Sequence, residues 1–253
     1  MTMVIRDPRE LFAHCERARH AGARVGFVPT MGALHAGHRA LLERARAENE
    51  RVVLSIFVNP TQFDDPSDLA RYPRPLEADL ALAAGLADAV LVPSAEQLYP
   101  DAYHFRVTEQ ELSRRWEGAH RPGHFDGVLT VVLKLLQLAR AERAYFGEKD
   151  WQQLELVRGL VRAFFLPTEI VACPTVREAD GLALSSRNRR LTPAGRAHAA
   201  QFPSTLRLAP DAATAAQTLR SLGFEVDYVA DHAGVRLGAV RLDGVRLIDN
   251  VRL

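Results

Sequence analysis

The chain has 253 residues, 47% hydrophobic and 25% charged, with 32 basic against 31 acidic side chains and a net charge of +1. That composition excludes a disordered or collagen-like chain and allows one large domain, or a medium and a small one, at ~100–200 residues each. The charge balance leaves no overall footprint for nucleic acid or an anionic membrane, and no run reaches the ~18 apolar residues of a membrane span.

In chain order, residues 9–20 read as a helix with Leu11, Phe12 and Cys15 on one face, and residues 25–28 as a short strand. Residues 37–50 read as a helix that turns Leu41, Leu42 and Ala45 inward. Residues 52–58 form an unbroken apolar run, the pattern of a strand covered on both faces. A helix follows at 77–86, a strand at 89–92, a strongly apolar helix at 128–139, a strand at 144–146, a helix at 151–164 and a strand at 169–172. This alternation predicts an α/β protein, a Rossmann-like parallel sheet with helices on both faces, and places ligands beyond the carboxyl ends of its strands. Past Pro174 the character changes. Helices are expected at 193–206 and 211–222 and short strands at 225–229, 235–240 and 245–251, a small C-terminal α+β domain. The expected division is 1–174 and 175–253.

Cys15 and Cys173 make neither a disulfide framework nor a zinc ligand set, and residues 1–9 show no apolar signal core, so a reducing cytoplasm is the expected location. Only two of the basic residues are lysine, Lys134 and Lys149. A compact ammonium and a planar guanidinium are not interchangeable at a tight site, so a lysine kept in an arginine-rich chain marks a position to examine. Lys134 sits within the apolar helix, where a snorkelling lysine is sufficient.

Four segments carry chemistry. Residues 29–38, PTMGALHAGH, follow the first strand and open a helix, where backbone N–H groups and the dipole favour an anion. His35 and His38, three apart, fall on one helical face and can both donate to phosphate oxygens. Gly37 between them leaves room for a ligand, and Gly32 allows a tight turn. Residues 57–63, FVNPTQF, end the buried strand and offer the neutral amides of Asn59 and Gln62. Residues 146–153, FGEKDWQQ, place Gly147 for close backbone approach, Lys149 for phosphate, Asp150 as a helix cap and Gln153 one turn on. Residues 184–189, LSSRNR, bring two hydroxyls and a fixed cation. Arg121–Phe125 reads as a mobile anion-binding loop, and Asp79 as either a magnesium ligand or a first-turn helix acid. There is no Ser-His-Asp or Cys-His pairing, no G-x-G-x-x-G after a strand and no P-loop.

Together these segments, with RPGHFDGV at 121–128 and RLIDN at 246–250, resemble the pantothenate synthetase (pantoate–β-alanine ligase) family over nearly the whole chain. The H-x-G-H and S-S-R-N elements are similar to the two signatures of the wider nucleotidyl-transferase and class I synthetase superfamily. The resemblance implies an ATP-dependent ligase that condenses pantoate with β-alanine through a pantoyl-adenylate, releasing AMP and pyrophosphate. It assigns catalysis to His38, His35, Lys149 and Arg187. ATP is assigned to Met31, Gly32, Ala33, Leu34, His35, Ala36, Gly37, His38, Gly147, Glu148, Lys149, Asp150, Val176, Leu184, Ser185, Ser186 and Arg187. Pantoate falls to Gln62 and Gln153, with Gln62 also near β-alanine, and Mg²⁺ to Asp79. It further implies a homodimer, a first domain that binds nucleotide and pantoate, and a second that acts as a lid over a water-labile intermediate. Residues 202–240 match the family only loosely and read as shortened, and Ala78 stands where some relatives carry a second acid.

The nearest enzyme alternative is an adenylyltransferase acting on a phosphate ester, and a phosphate acceptor would call for a cation where Gln62 and Gln153 stand. A class I aminoacyl-tRNA synthetase would need a tRNA-binding module. A regulatory nucleotide-binding protein on this scaffold would be expected to lack Lys149 or one histidine.

Overall fold

In the computed structural model, which describes residues 2–253, apolar runs and amphipathic helices alternate through the first two-thirds of the chain. The elements are β1 (Met3–Ile5), α1 (Pro8–His20), β2 (Val25–Thr30), α2 (Ala36–Glu48), β3 (Arg51–Ile56), α3 (Pro66–Arg71) and α4 (Leu76–Ala83). They continue as β4 (Ala89–Leu91), α5 (Ala95–Leu98), α6 (Trp116–His120), α7 (His124–Ala139), β5 (Arg143–Gly147), α8 (Trp151–Ala163) and β6 (Glu169–Cys173). The six strands pair in parallel in the order β1-β4-β3-β2-β5-β6.

Successive strand residues point to opposite faces, so the sheet carries two cores. Phe27 and Val53 join Leu11 of α1, Leu129 of α7 and Leu156 of α8 in one, while Val28 and Leu54 join Leu42 of α2 and Ala83 of α4 in the other. The strand order reverses between β2 and β5. An open α/β sheet binds ligands in the crevice at such a switch point. The two carboxyl ends that meet there are Thr30, which leads into the His35/His38 turn, and Gly147, which leads into Lys149.

The fold class is the one expected, and several boundaries differ for local reasons. The apolar helix starts at His124 rather than residue 128, because Gly123 in the left-handed region (φ +80°) ends the preceding loop and leads straight into it. The helix expected over 193–206 is two, α9 (Pro193–Ala199) and α10 (Gln201–Leu208). Pro203 explains the break, since its ring would clash with the Ala199 carbonyl in a continuous helix.

Contacts divide the chain into two compact units. One runs through Gly147 and resumes from Gln152 to Cys173; the other joins Glu148–Trp151 to Pro174–Leu253. In the second unit α9, α10 and α11 (Ala212–Ser221) accompany an antiparallel meander of β7 (Glu225–His232), β8 (Val235–Leu242) and β9 (Val245–Arg252). Phe202, Leu206, Leu219, Val240 and Leu247 are in its core. Both hairpin turns place two residues at positive φ, Ala233–Gly234 and Asp243–Gly244, which suits the twist of the strands they join. Among the described residues no helix is long and apolar enough to cross a membrane.

Candidate active site

The turn between β2 and α2 is built from its own side chains. Gly32 sits at φ +80° and Ala33 at φ +50°, so the chain reverses over two left-handed residues. His35 caps α2, and its ring Nδ1 accepts the Gly37 N–H at 3.1 Å. Reciprocally, the His35 N–H donates to Nδ1 of His38 at 3.3 Å, a capping box with imidazoles in place of the usual hydroxyl and carboxylate. The ring centroids lie 4.2 Å apart. Each Nδ1 is an acceptor, so in the neutral rings both protons sit on Nε2. The backbone has therefore selected the tautomer in which two adjacent imidazoles present Nε2–H.

Three expectations change here. His35 is not on a helical face with His38 but precedes the helix as its cap. The space that Gly37 leaves is taken by the His35 ring, since a Cβ there would stand 2.8 Å from His35 Cε1. Nor does the turn offer a nest of amides to phosphate. The N–H groups of Ala33, Leu34, His35 and Gly37 all donate to side chains of the chain itself. The chemistry the turn brings to an anion is that of two oriented imidazoles.

Asp79 is the reason the turn holds. It is 2% exposed, and its two oxygens accept the N–H groups of Ala33 at 2.9 Å and Leu34 at 2.7 Å. Asp79 lies in the first turn of α4, as one of its readings expected, and it also holds the turn before α2. Ala78 beside it supplies no second acid.

The second strand end fixes Gln62. Asn59 is 1% exposed and is a brace rather than a ligand group. Its Oδ1 accepts Tyr99 Oη–H at 2.8 Å and Thr61 Oγ1–H at 3.0 Å, and its Nδ2 donates to Gln62 Oε1 at 3.0 Å and the Gly127 carbonyl at 3.2 Å. The Gln62 oxygen thus faces Asn59, and its Nε2 turns to Met31 Sδ at 3.2 Å, a weak acceptor. Gln62 presents N–H donors, the polarity that hydroxyl and carboxylate oxygens need.

Residues 121–125 are not a loop throughout, since His124 and Phe125 open α7. His124 Nδ1–H donates to the Gln62 carbonyl at 2.8 Å, and Arg121 reaches the same oxygen at 3.2 Å while pairing with Asp64 at 3.0 Å. Arg121 also approaches His124 Nε2 at 3.2 Å, so the ring is neutral with its proton on Nδ1. Burial, then the Arg121 charge, push the His124 pKa down to about 4. Gly127 lets α7 close on this strand end, since a Cβ would stand 2.4 Å from the Thr61 carbonyl oxygen. The H-F-D-G pattern was the available signal for this clamp.

On α8, Gln152 is spent internally: it is buried, accepts from Glu117 N–H and donates to the Leu112 and Arg115 carbonyls. Gln153 beside it is half-buried. At Gly147 an added Cβ would meet no protein atom, so nothing inside the chain demands glycine there.

The second unit gathers the cations. Lys149, Ser185, Arg187, Asn188 and Arg246 line one cleft. Glu148–Asp150 form a 3₁₀ turn continuous with α8, so Asp150 lies within a helical turn and is not the isolated cap expected. The Glu148 carboxylate pairs with Arg252 at 2.8 Å. Val176 accepts the Leu184 N–H at 3.0 Å, which closes a short hairpin and delivers Ser185 and Arg187. Ser185 Oγ is used as a cap, accepting the Arg187 N–H at 3.2 Å. Lys134 is structural, as expected: it donates to the Leu98 carbonyl at 3.0 Å, pairs with Asp101 at 3.1 Å and lies 5.0 Å from the Tyr99 ring centre.

The model of the family described as pantoate-beta-alanine ligase matches residues 3–252. The pantothenate synthetase of Bdellovibrio bacteriovorus is 53% identical over 254 residues, covering 100% of both chains. That of Cereibacter sphaeroides is 48% identical over 277 residues, covering 99% of each. Among solved structures, the Francisella tularensis pantoate-beta-alanine ligase complexed with beta-gamma ATP and beta-alanine has a TM-score of 0.93 at 39% identity, over 100% of this chain and 98% of that one. The Thermus thermophilus pantothenate synthetase has a TM-score of 0.89 at 44% identity, over 99% of both.

Proposed function

The chain belongs to the pantoate–β-alanine ligase family, and on that premise we propose that the turn carrying His35 and His38 is where it activates a carboxylic acid with ATP. It is an enzyme, a ligase that uses ATP to join pantoate to β-alanine. In the proposed course, a pantoate carboxylate oxygen attacks the α-phosphorus and the bond to the leaving pyrophosphate breaks, giving pantoyl-adenylate. The unprotonated amine of β-alanine then attacks the acyl carbon. The carbonyl C–O bond to AMP breaks, and the surplus proton passes to solvent.

The observation that carries this reading is the pair of Nε2–H donors fixed by the His35/His38 capping box at the switch point of the sheet. In-line displacement needs no protein nucleophile. It needs positioning and donors aimed at oxygens that gain charge. His38 and His35 are assigned that task, within the segment Met31–His38 that shapes the nucleotide pocket. Lys149 and Arg187 are assigned the phosphates. Gly147, Glu148, Asp150, Val176, Leu184, Ser185 and Ser186 are assigned the remaining ATP contacts, largely through the backbone, because the Glu148 carboxylate and Ser185 hydroxyl already have partners. Gln62 and Gln153 are assigned pantoate. A neutral amide fixes a nucleophilic carboxylate without quenching it in an ion pair. Mg²⁺ is assigned to the phosphates of the nucleotide, to water and, as the family resemblance implies, to Asp79. The family resemblance supports a cytoplasmic homodimer, which light scattering on the purified chain tests.

The test of the reaction is pantoate-dependent exchange of labelled pyrophosphate into ATP in the absence of β-alanine. Exchange supports the adenylate. Its absence in an enzyme that still makes pantothenate overturns it, and exchange that requires a phosphate-ester acceptor instead marks an adenylyltransferase.

A further inference from the structure

We propose that Asn250, in the last strand, is a positioning residue for Lys149; the proposal rests on the assignment of Lys149 to the ATP phosphates. Asn250 is 8% exposed. Its side-chain amide donates to two successive carbonyls, Glu148 at 2.8 Å and Lys149 at 3.0 Å. An amide NH₂ has two N–H donors, and both are used. The Glu148 carbonyl belongs to the peptide plane before the Lys149 Cα, and the Lys149 carbonyl to the plane after it. Peptide groups are rigid planes joined only by φ and ψ. Pinning both planes fixes the two dihedrals of Lys149 and with them the direction of its Cα–Cβ bond. A lysine stem has four rotatable bonds, so fixing its base narrows the region its ammonium samples.

Asn250 is itself held from behind. Its N–H donates to Asp249 Oδ1 at 2.7 Å, and its carbonyl accepts Arg177 Nη2–H at 3.1 Å. Arg177 grips the Asp249 carboxylate with both prongs, at 2.6 and 2.9 Å, and Asp249 is 3% exposed. The same guanidinium donates to the Gly181 carbonyl at 3.0 Å, in the turn of the hairpin that leads to Ser185 and Arg187. One network built on Asp249 and Asn250 of β9 and on Arg177 thus ties down both the Lys149 turn and the segment that delivers Arg187. These two cations line one cleft of the second unit. The network sets the spacing of the charges that meet the phosphates. It also gives the terminal R-L-I-D-N segment a function that touches no substrate.

The experiment compares wild type with Asn250→Ala, the near-isosteric Asn250→Asp, which loses both donors but keeps the shape, Lys149→Ala, and the Lys149→Ala/Asn250→Ala double variant. Each is checked by thermal melting and assayed with ATP and β-alanine varied separately. The expected result is a fall of about 10- to 100-fold in kcat/KM for ATP in both Asn250 variants, the scale of a misplaced catalytic group. KM for β-alanine stays unchanged, and Asn250→Ala causes no further loss once Lys149 is alanine. Wild-type kcat/KM for ATP in folded Asn250→Asp overturns the proposal even where Asn250→Ala fails to fold. So does a double variant whose loss is the product of the single losses, because Asn250 then acts independently of Lys149. Wild-type kinetics in Lys149→Ala is a different failure: it removes the phosphate assignment of Lys149 and this proposal with it.

Discussion

The Asp79 carboxylate accepts the backbone N–H of Leu34 at 2.7 Å across 45 residues of chain, and its other oxygen takes the N–H of Ala33. The turn between β2 and α2 is thus held from α4. Asp79→Asn turns an amide N–H against one of these donors. Leaving that donor unpaired costs about 1–3 kcal/mol. The expected outcome is a lowered melting temperature together with a lowered kcat. A Mg²⁺ titration that restores activity but not the melting temperature separates the metal role of Asp79 from its role as a brace, and an unchanged melting temperature would refute the brace.

His38→Ala removes one Nε2–H donor and the acceptor of the His35 N–H. The chemical step should slow by about 10²–10³-fold, as for loss of one oxyanion donor. Single-turnover kinetics separates this from binding, and full activity in the variant would exclude His38 from the charge-stabilising role.

Lys149→Arg keeps the charge but replaces a point donor with a planar fork, in a cleft already lined by Arg187 and Arg246. Loss of a well-placed charged hydrogen bond costs about 1.5–3 kcal/mol, so kcat/KM for ATP should fall about 10- to 100-fold. Equal values for lysine and arginine would show that only charge matters at this position.

His124 gives the fold a defined response to acid. Burial, reinforced by Arg121, holds its pKa at about 4 in the folded state, below the ordinary value of 6.5. The unfolded chain therefore takes up a proton that the folded chain refuses as pH falls from 6.5 toward 4. The associated stability is complete above 6.5 and is lost across that window, by about 3 kcal/mol in all. His124→Asn removes this titration. Thermal melts at pH 7 and pH 5 should differ less for the variant than for wild type, and parallel pH dependences would refute the assignment.

The sequence by itself determined the architecture and the chemical vocabulary of this protein. The apolar run at 52–58 read as a strand covered on both faces, and 51–56 form it; strand–helix alternation pointed to the parallel sheet. Two histidines after a strand and a lysine among arginines marked the segments to which the proposed chemistry is assigned. These signals are local, set by side-chain periodicity and by residue types within a few positions. What the tertiary structure alone decided is which polar groups are spent on one another. Asp79 and Leu34 are 45 residues apart, and His124 and the Gln62 carbonyl 62. Asn250 and the Lys149 carbonyl are 101 apart. A buried polar group must find a partner, and no local pattern specifies a partner at that distance. Hence Asn59 read as a ligand amide and 121–125 as a loop, when both brace the Gln62 end of its strand, and nothing around Asp79 in the sequence pointed to the turn it holds. Imidazole pairs and lysines can be found by inspection of a sequence, but the dihedrals and tautomers that make them useful are imposed by neighbours that only the folded chain brings close.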